Sequence, residues 1–211
     1  MRAISIFFIF IITSKYSLAQ DEYWSILQFK KNISSDNSIF AEYIRRDKDT
    51  FGDNNNLVLT RASLTGHYES WNYLIGASYV DFNLGNDERR LHQFFTKDFK
   101  ISNSFTTVVR SGFEERFFIN DDSIYWRYRL RAQINYLTTE QFGLSSYDEM
   151  IFSLNGEKRF YQGLSENRLG LGLSLKLKSV QFYLFNVFAN LKNLTTESNP
   201  RWLQMQAIFN L

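Results

Sequence analysis

Between residues 105 and 136 the chain alternates with a period of two. Trp126, Tyr128, Leu130, Ala132, Ile134 and Tyr136 share one parity, while Arg127, Arg129, Arg131, Gln133 and Asn135 share the other. Successive side chains of a strand point to opposite faces, so this stretch predicts a β-strand with one apolar and one charged face. The preceding arm repeats the theme, with Val109, Phe113 and Phe117 set against Arg110, Glu114 and Arg116. The polar break INDDS at 119–123 joins the two arms. An antiparallel hairpin then sets Glu114 near arginines that need a carboxylate.

The same alternation returns further along. Leu169, Leu171, Leu173, Leu175 and Leu177 oppose Arg168, Gly170, Gly172, Ser174, Lys176 and Lys178. Leu203, Met205, Ala207, Phe209 and Leu211 share a parity in the last strand. Weaker patterns predict strands near 39–46, 57–67, 71–82, 89–100, 147–160 and 181–191, and a less regular one at 24–33. Their lengths of about ten or more residues exceed the ~5–6 of soluble domains and suit a tilted crossing of a bilayer, which takes ~9–11. Loops near 47–56, 83–89, 118–123, 156–166 and 192–200 are long, and those near 69, 101–104 and 179 are short. That alternation is the habit of bacterial outer-membrane barrels, although the connection at 138–146 breaks it. The predicted fold is all-β, a transmembrane antiparallel up-and-down barrel over 38–211 with ten strands. The segment 20–37 supplies an eleventh that an even-numbered barrel does not want. It packs inside or below the barrel, or a strand has escaped notice and the count is twelve.

Energy decides which face meets lipid. An arginine near the bilayer midplane costs ~2–4 kcal/mol on the lipid side, so Arg127, Arg129 and Arg131 together would cost roughly 6–12. That rivals the ~5–15 kcal/mol stability of an ordinary domain. The leucine and aromatic faces therefore turn outward, and Glu114, Glu149 and Glu157 offset the arginines inside. A soluble barrel or sandwich with the apolar faces inward is the alternative that the same alternation allows.

Composition sharpens this picture. The chain holds 21 Phe, 12 Tyr and 4 Trp but one Pro and no Cys, a strand-forming inventory without disulfides. Met1-Arg2, the apolar run 3–12 and the small residues Ser17 and Ala19 have the order of a secretory signal peptide over 1–19. Removal of that leader takes away Arg2 and Lys15, leaving 22 basic residues of the original 24 against 22 acidic ones. A neutral mature chain gives no footprint for nucleic acid. Export to the outer membrane makes lipid and, during assembly, the barrel-insertion machinery the expected partners.

Several motifs in chain order resemble one family. They are R-x-G-x-E-x-R at 110–116, R-x-R-x-R at 127–131, Tyr-Asp-Glu at 147–149 before aliphatics, and E-N-R-L-G-L-G-L at 166–173. The chain is similar to the outer-membrane β-barrel family of Gram-negative bacteria catalogued as domain of unknown function 2490. The resemblance implies a barrel whose lumen residues here are Arg110, Glu114, Arg116, Arg127, Arg129, Glu149 and Arg168. It implies no activity, substrate or cofactor.

The residues themselves offer little chemistry. His67 and His92 are the only histidines, too few for a His/Cys metal centre. The loop from Asp47 to Asn56 has oxygen donors but neither the spacing nor the terminal Glu of a calcium loop, so it reads as a solvated loop. A hydrolase needs a nucleophile and a base together. Ser63 and His67 share a parity but lie ~13 Å apart along a strand, and no G-x-S-x-G elbow occurs. The expected function is non-catalytic, structural or partner-associated, with no cofactor. The arginine ladder, Arg131 included, fills a ten-stranded barrel as a polar core. In a twelve-stranded barrel it lines a narrow pore favouring a small anionic solute or acidic sugars. Arg89-Arg90 and Lys30-Lys31 read first as solvated charge, with cations at a membrane rim that meet lipid phosphates as the alternative.

Overall fold

The computed structural model describes residues 22–48, 57–82, 87–156, 161–192 and 197–211. The leader expected at 1–19, the acidic loop at 49–56 and Glu157 lie outside them. The described residues form twelve strands and no helix: β1 Glu22–Asn32, β2 Asn37–Lys48, β3 Leu57–Tyr68, β4 Trp71–Phe82, β5 Glu88–Lys100, β6 Phe105–Phe118, β7 Ile124–Leu137, β8 Phe142–Ser153, β9 Gly163–Lys176, β10 Val180–Lys192, β11 Glu197–Ser198 and β12 Arg201–Asn210. Each strand from β1 to β10 pairs antiparallel with the next, β10 pairs with β12, and β12 returns to β1. The ring is closed.

Eleven strands make that ring, and β11 is a two-residue appendage of β10. The count corrects the ten expected from the pattern. The segment around Trp24 is neither inside nor below the barrel; it is a full strand of its wall. A closed up-and-down barrel with an odd number of strands must contain one parallel pair, and β1–β12 is that pair, from Glu22↔Trp202 to Lys30↔Asn210. Antiparallel hairpins leave no other place for it.

β8 is also corrected. Alternation placed a strand at 147–160, whereas the strand is Phe142–Ser153. Gly143, Ser145 and Ser146 hid its first half because small residues carry no hydropathy contrast. With β8 in its true place the connection 138–141 is short, and the loops alternate without exception. One end of the barrel carries turns of two to four residues, the other connections of five to nine. Ten to fourteen residues at ~3.3 Å rise, tilted by ~40°, give the long strands an axial span near 30 Å.

The two parities fall on opposite faces of the wall. Trp126, Ile134, Tyr136, Leu169 and Leu171 point outward and are 40–50% exposed. Leu27, Ile75, Leu91, Phe113 and Leu144 continue the apolar belt on other strands. Aromatic residues mark both rims, with Tyr68, Trp71, Phe99 and Tyr136 towards the short turns and Tyr79 and Trp126 towards the long loops. On the outside of β9, β10 and β12, Leu175, Leu184 and Leu203 bury one another with Tyr23, Phe182 and Met205. The arginine and glutamate side chains of the inward parity lie inside the barrel, and the leucine row of β9 lies on its outside.

An arginine-lined lumen as candidate functional site

Each lumen strand contributes its inward parity, and cross-strand register decides which charges meet. Glu114 lies opposite Arg127, and Glu149 lies between Arg131 and Arg168. Three carboxylates are the anchors: Glu88 and Glu114 are 0% exposed and Glu149 2%. An unpaired carboxylate at such depth costs several kcal/mol, and guanidinium forks are the donors that satisfy it.

Glu114 accepts from Arg127 Nε at 2.7 Å and from Arg129 Nη1 at 2.8 Å. Arg129 turns its other nitrogen, Nη2, to Glu149 at 2.7 Å, and Arg110 Nη2 reaches the same carboxylate at 2.9 Å. Arg168 closes the line with Nη1 at 3.5 Å from Glu149 and an ion pair to Glu166. One continuous network thus crosses β6, β7, β8 and β9. A second, smaller one holds Glu88 between Arg90, at 2.7 and 2.8 Å, and Arg116, at 3.0 Å. Arg61 with Glu42 at 3.0 Å and Arg46 with Glu22 at 2.7 Å are simple pairs.

The structure therefore brings Arg110, Glu114, Arg127, Arg129, Glu149 and Arg168 into one network and Arg116 into the neighbouring one. Arg131, the remaining predicted lumen residue, is inside but pairs with no carboxylate among the described residues. Its Nη2 donates to Gln133 Oε1 at 2.6 Å, and its guanidinium lies 3.8 Å over the Tyr147 ring. Arg90, expected as solvated or rim charge, is a lumen residue with a side chain 10% exposed. Asp47, expected in a solvated loop, is buried and accepts from Arg45 at 2.9 Å. Sequence reasoning missed Glu22, Glu42, Arg61 and Glu88. The Glu-x-Arg-x-His parity of β5 carried that signal, but Arg89 and Leu91 blurred it.

The opposite wall is aromatic. Trp24 and Trp202 stack at 5.2 Å across the parallel seam, and Phe185, Val187 and Tyr147 pack beside Trp202. Arg168 lies over both indoles at 5.5 and 5.6 Å, joining the two walls. Glycine lets rings lie flat on the charged side: a Cβ at Gly170 would fall 2.2 Å from Tyr147 Cε1, and one at Gly112 2.3 Å from Phe94 Cδ1. Between the walls remains a cavity of about 730 Å³. Its lining runs from Leu57 and Lys192 near the long loops to Thr96 and Asn135 near the short turns.

Ser63 and His92 do meet, with Ser63 Oγ 3.3 Å from His92 Nε2. They are 6% and 1% exposed, and neither is among the residues lining the cavity. No His/Cys/Asp/Glu cluster suited to a metal occurs among the described residues.

Fold and lumen together define a closed β-barrel with buried Arg/Glu ion pairs. A family model described as "Protein of unknown function (DUF2490)" matches residues 21–197, and the chain belongs to that family. No curated protein matches it.

Proposed function

We propose that this chain is a small integral outer-membrane barrel, exported by the leader at 1–19, whose lumen is a narrow water-filled passage that favours anions. One observation carries the reading: a tube apolar on its outer surface encloses a 730 Å³ cavity lined by nine arginines. In water such an exterior would be an exceptionally large apolar patch, whereas acyl chains match it. Inside, a surplus of guanidinium groups favours anions by the logic of charged rings in channels. The short turns then face the periplasm, so β1 begins on the outer side and β12 ends on the inner one. Lipid and the insertion machinery remain the partners, and no catalytic step is part of the proposal.

A purely structural barrel is the second reading, favoured by the burial of Glu88, Glu114 and Glu149 within ion pairs. Planar-bilayer recording of the refolded protein separates the two. The pore reading expects discrete conductance steps with anion preference, reduced in Arg127→Ala. A silent bilayer across salts and voltages, from protein that migrates as a folded barrel, leaves the structural reading. Release of the mature chain by osmotic shock would remove the membrane from both.

A further inference from the structure

The charge inventory of the lumen does not close. Nine arginines line the cavity, with Glu22, Glu42, Glu149 and Glu166 as the acidic lining residues. Adding Glu88 and Glu114, which lie behind the arginines, leaves nine guanidinium groups against six carboxylates. The imbalance has an address. Arg110 and Arg131 are direct cross-strand partners, a like-charge pairing that is destabilising when nothing lies between. Glu149 is directly opposite Arg131 on the other side, yet its ion pairs go to Arg110, Arg129 and Arg168. Arg131 is left with the neutral amide of Gln133 and the face of Tyr147. Spare donors surround this spot. The Nε atoms of Arg61, Arg110 and Arg129 are buried without a hydrogen-bond partner, and the Arg61 side chain is only 9% exposed.

Buried N–H groups of cations are costly to leave unmade, and a planar fork matches the two oxygens of a carboxylate or phosphate. We infer that Arg110 and Arg131 form an oxyanion site in the lumen, which takes the phosphate or carboxylate group of a small soluble solute. Arg61 and Arg129 supply the surrounding positive field. Below Arg131, Gln133 and Asn135 continue the same face of β7 towards the short-turn mouth, linked by a 2.8 Å hydrogen bond, and both line the cavity. They give an arriving anion neutral polar partners along its way. Tyr147, beneath the Arg131 guanidinium, and Tyr183 line the same cavity, ring surfaces suited to a sugar or ring attached to the acidic group. The cavity volume falls in the ~300–1,000 Å³ range of small-molecule sites.

This site rests on the lumen described above but not on conduction through it. Isothermal titration of the refolded full chain in zwitterionic micelles, with inorganic phosphate as probe and chloride at matched ionic strength as reference, tests it. Saturable phosphate binding is expected, weakened about tenfold or more by Arg131→Gln and by Arg110→Gln. Arg131→Lys should retain part of it, because charge survives while the fork is lost. Arg201→Gln, on β12 at the long-loop rim, should bind as the parent does. Heat-modifiable migration confirms that each variant is folded before it is compared. A phosphate response no greater than chloride's, or one unchanged in folded Arg131→Gln, overturns the site. Binding without conductance removes the pore and keeps the site; conductance without binding does the reverse.

Discussion

The wall from β5 to β9 and the seam formed by β10, β12 and β1 enclose the same lumen by opposite means. On the first, Glu88, Glu114 and Glu149 are held by forks from two or three arginines each, with distances that fix both partners. On the second, Trp24 stacks on Trp202, and Phe185, Val187 and Ala189 fill the space beside them. Across the parallel pair itself the polar link is between neutral amides: Gln206 donates to Gln28 Oε1 at 2.8 Å, across 178 residues of sequence, while Glu22 of β1 turns to Arg46 of β2. The difference follows the order of the chain. Strands β5 to β9 join neighbours through consecutive hairpins, where a turn sets the register and directional ion pairs can rely on it. The seam joins the two ends of the barrel, with no turn to align them and the sheet's single parallel pair. Non-directional ring and aliphatic contacts tolerate small errors of register in a way that buried charges cannot.

The contrast predicts a graded response to substitution, best followed as urea unfolding in lipid vesicles by tryptophan fluorescence. The largest effect belongs to the charged wall. Glu114→Ala leaves Arg127 and Arg129 without their shared carboxylate and should cost about 3–5 kcal/mol. A loss below about 1 kcal/mol would mean that water or a neighbouring glutamate takes over, and that this wall is no more directional than the seam. Gly170→Ala is expected to be intermediate. The new methyl group displaces the Tyr147 ring on which Arg131 rests, at about 1–3 kcal/mol; an unchanged midpoint would show that the ring moves freely into the lumen. Least severe should be Trp24→Phe at the seam. It keeps a stacked ring but removes the bond from Nε1–H to Glu22 Oε2, which is 3.1 Å long, for about 0.5–1.5 kcal/mol. If Trp24→Phe proved costlier than Glu114→Ala, the division of labour would be reversed.

How much of this could be read from the residues depends on distance along the chain. Parity is local, so the outward row from Trp126 to Tyr136 and the inward row from Arg127 to Asn135 were legible at once. The hairpin neighbourhood of Glu114 and Arg127 was equally plain, because a five-residue connection leaves few registers to consider. β8 was half hidden by glycine and serine. Arg90 was misplaced as solvated or rim charge because its partner Glu88 was counted as loop. The inward Ser63–His92 contact joins β3 to β5, and no local pattern announces a neighbour across an intervening strand.

The sequence by itself determined that the chain is all-β, that its strands are two-faced, and that the arginines face inward wherever the outside is apolar. Those statements need only the period of a strand and the cost of leaving a cation in apolar surroundings. Tertiary structure alone decided that eleven strands close the ring, that β1 and β12 meet in parallel, and that Arg131 goes without a carboxylate while Glu149 serves three other arginines. Each of these depends on how many strands share one circumference and on the stagger between them. Both are properties of the closed sheet, and no single stretch of sequence carries them.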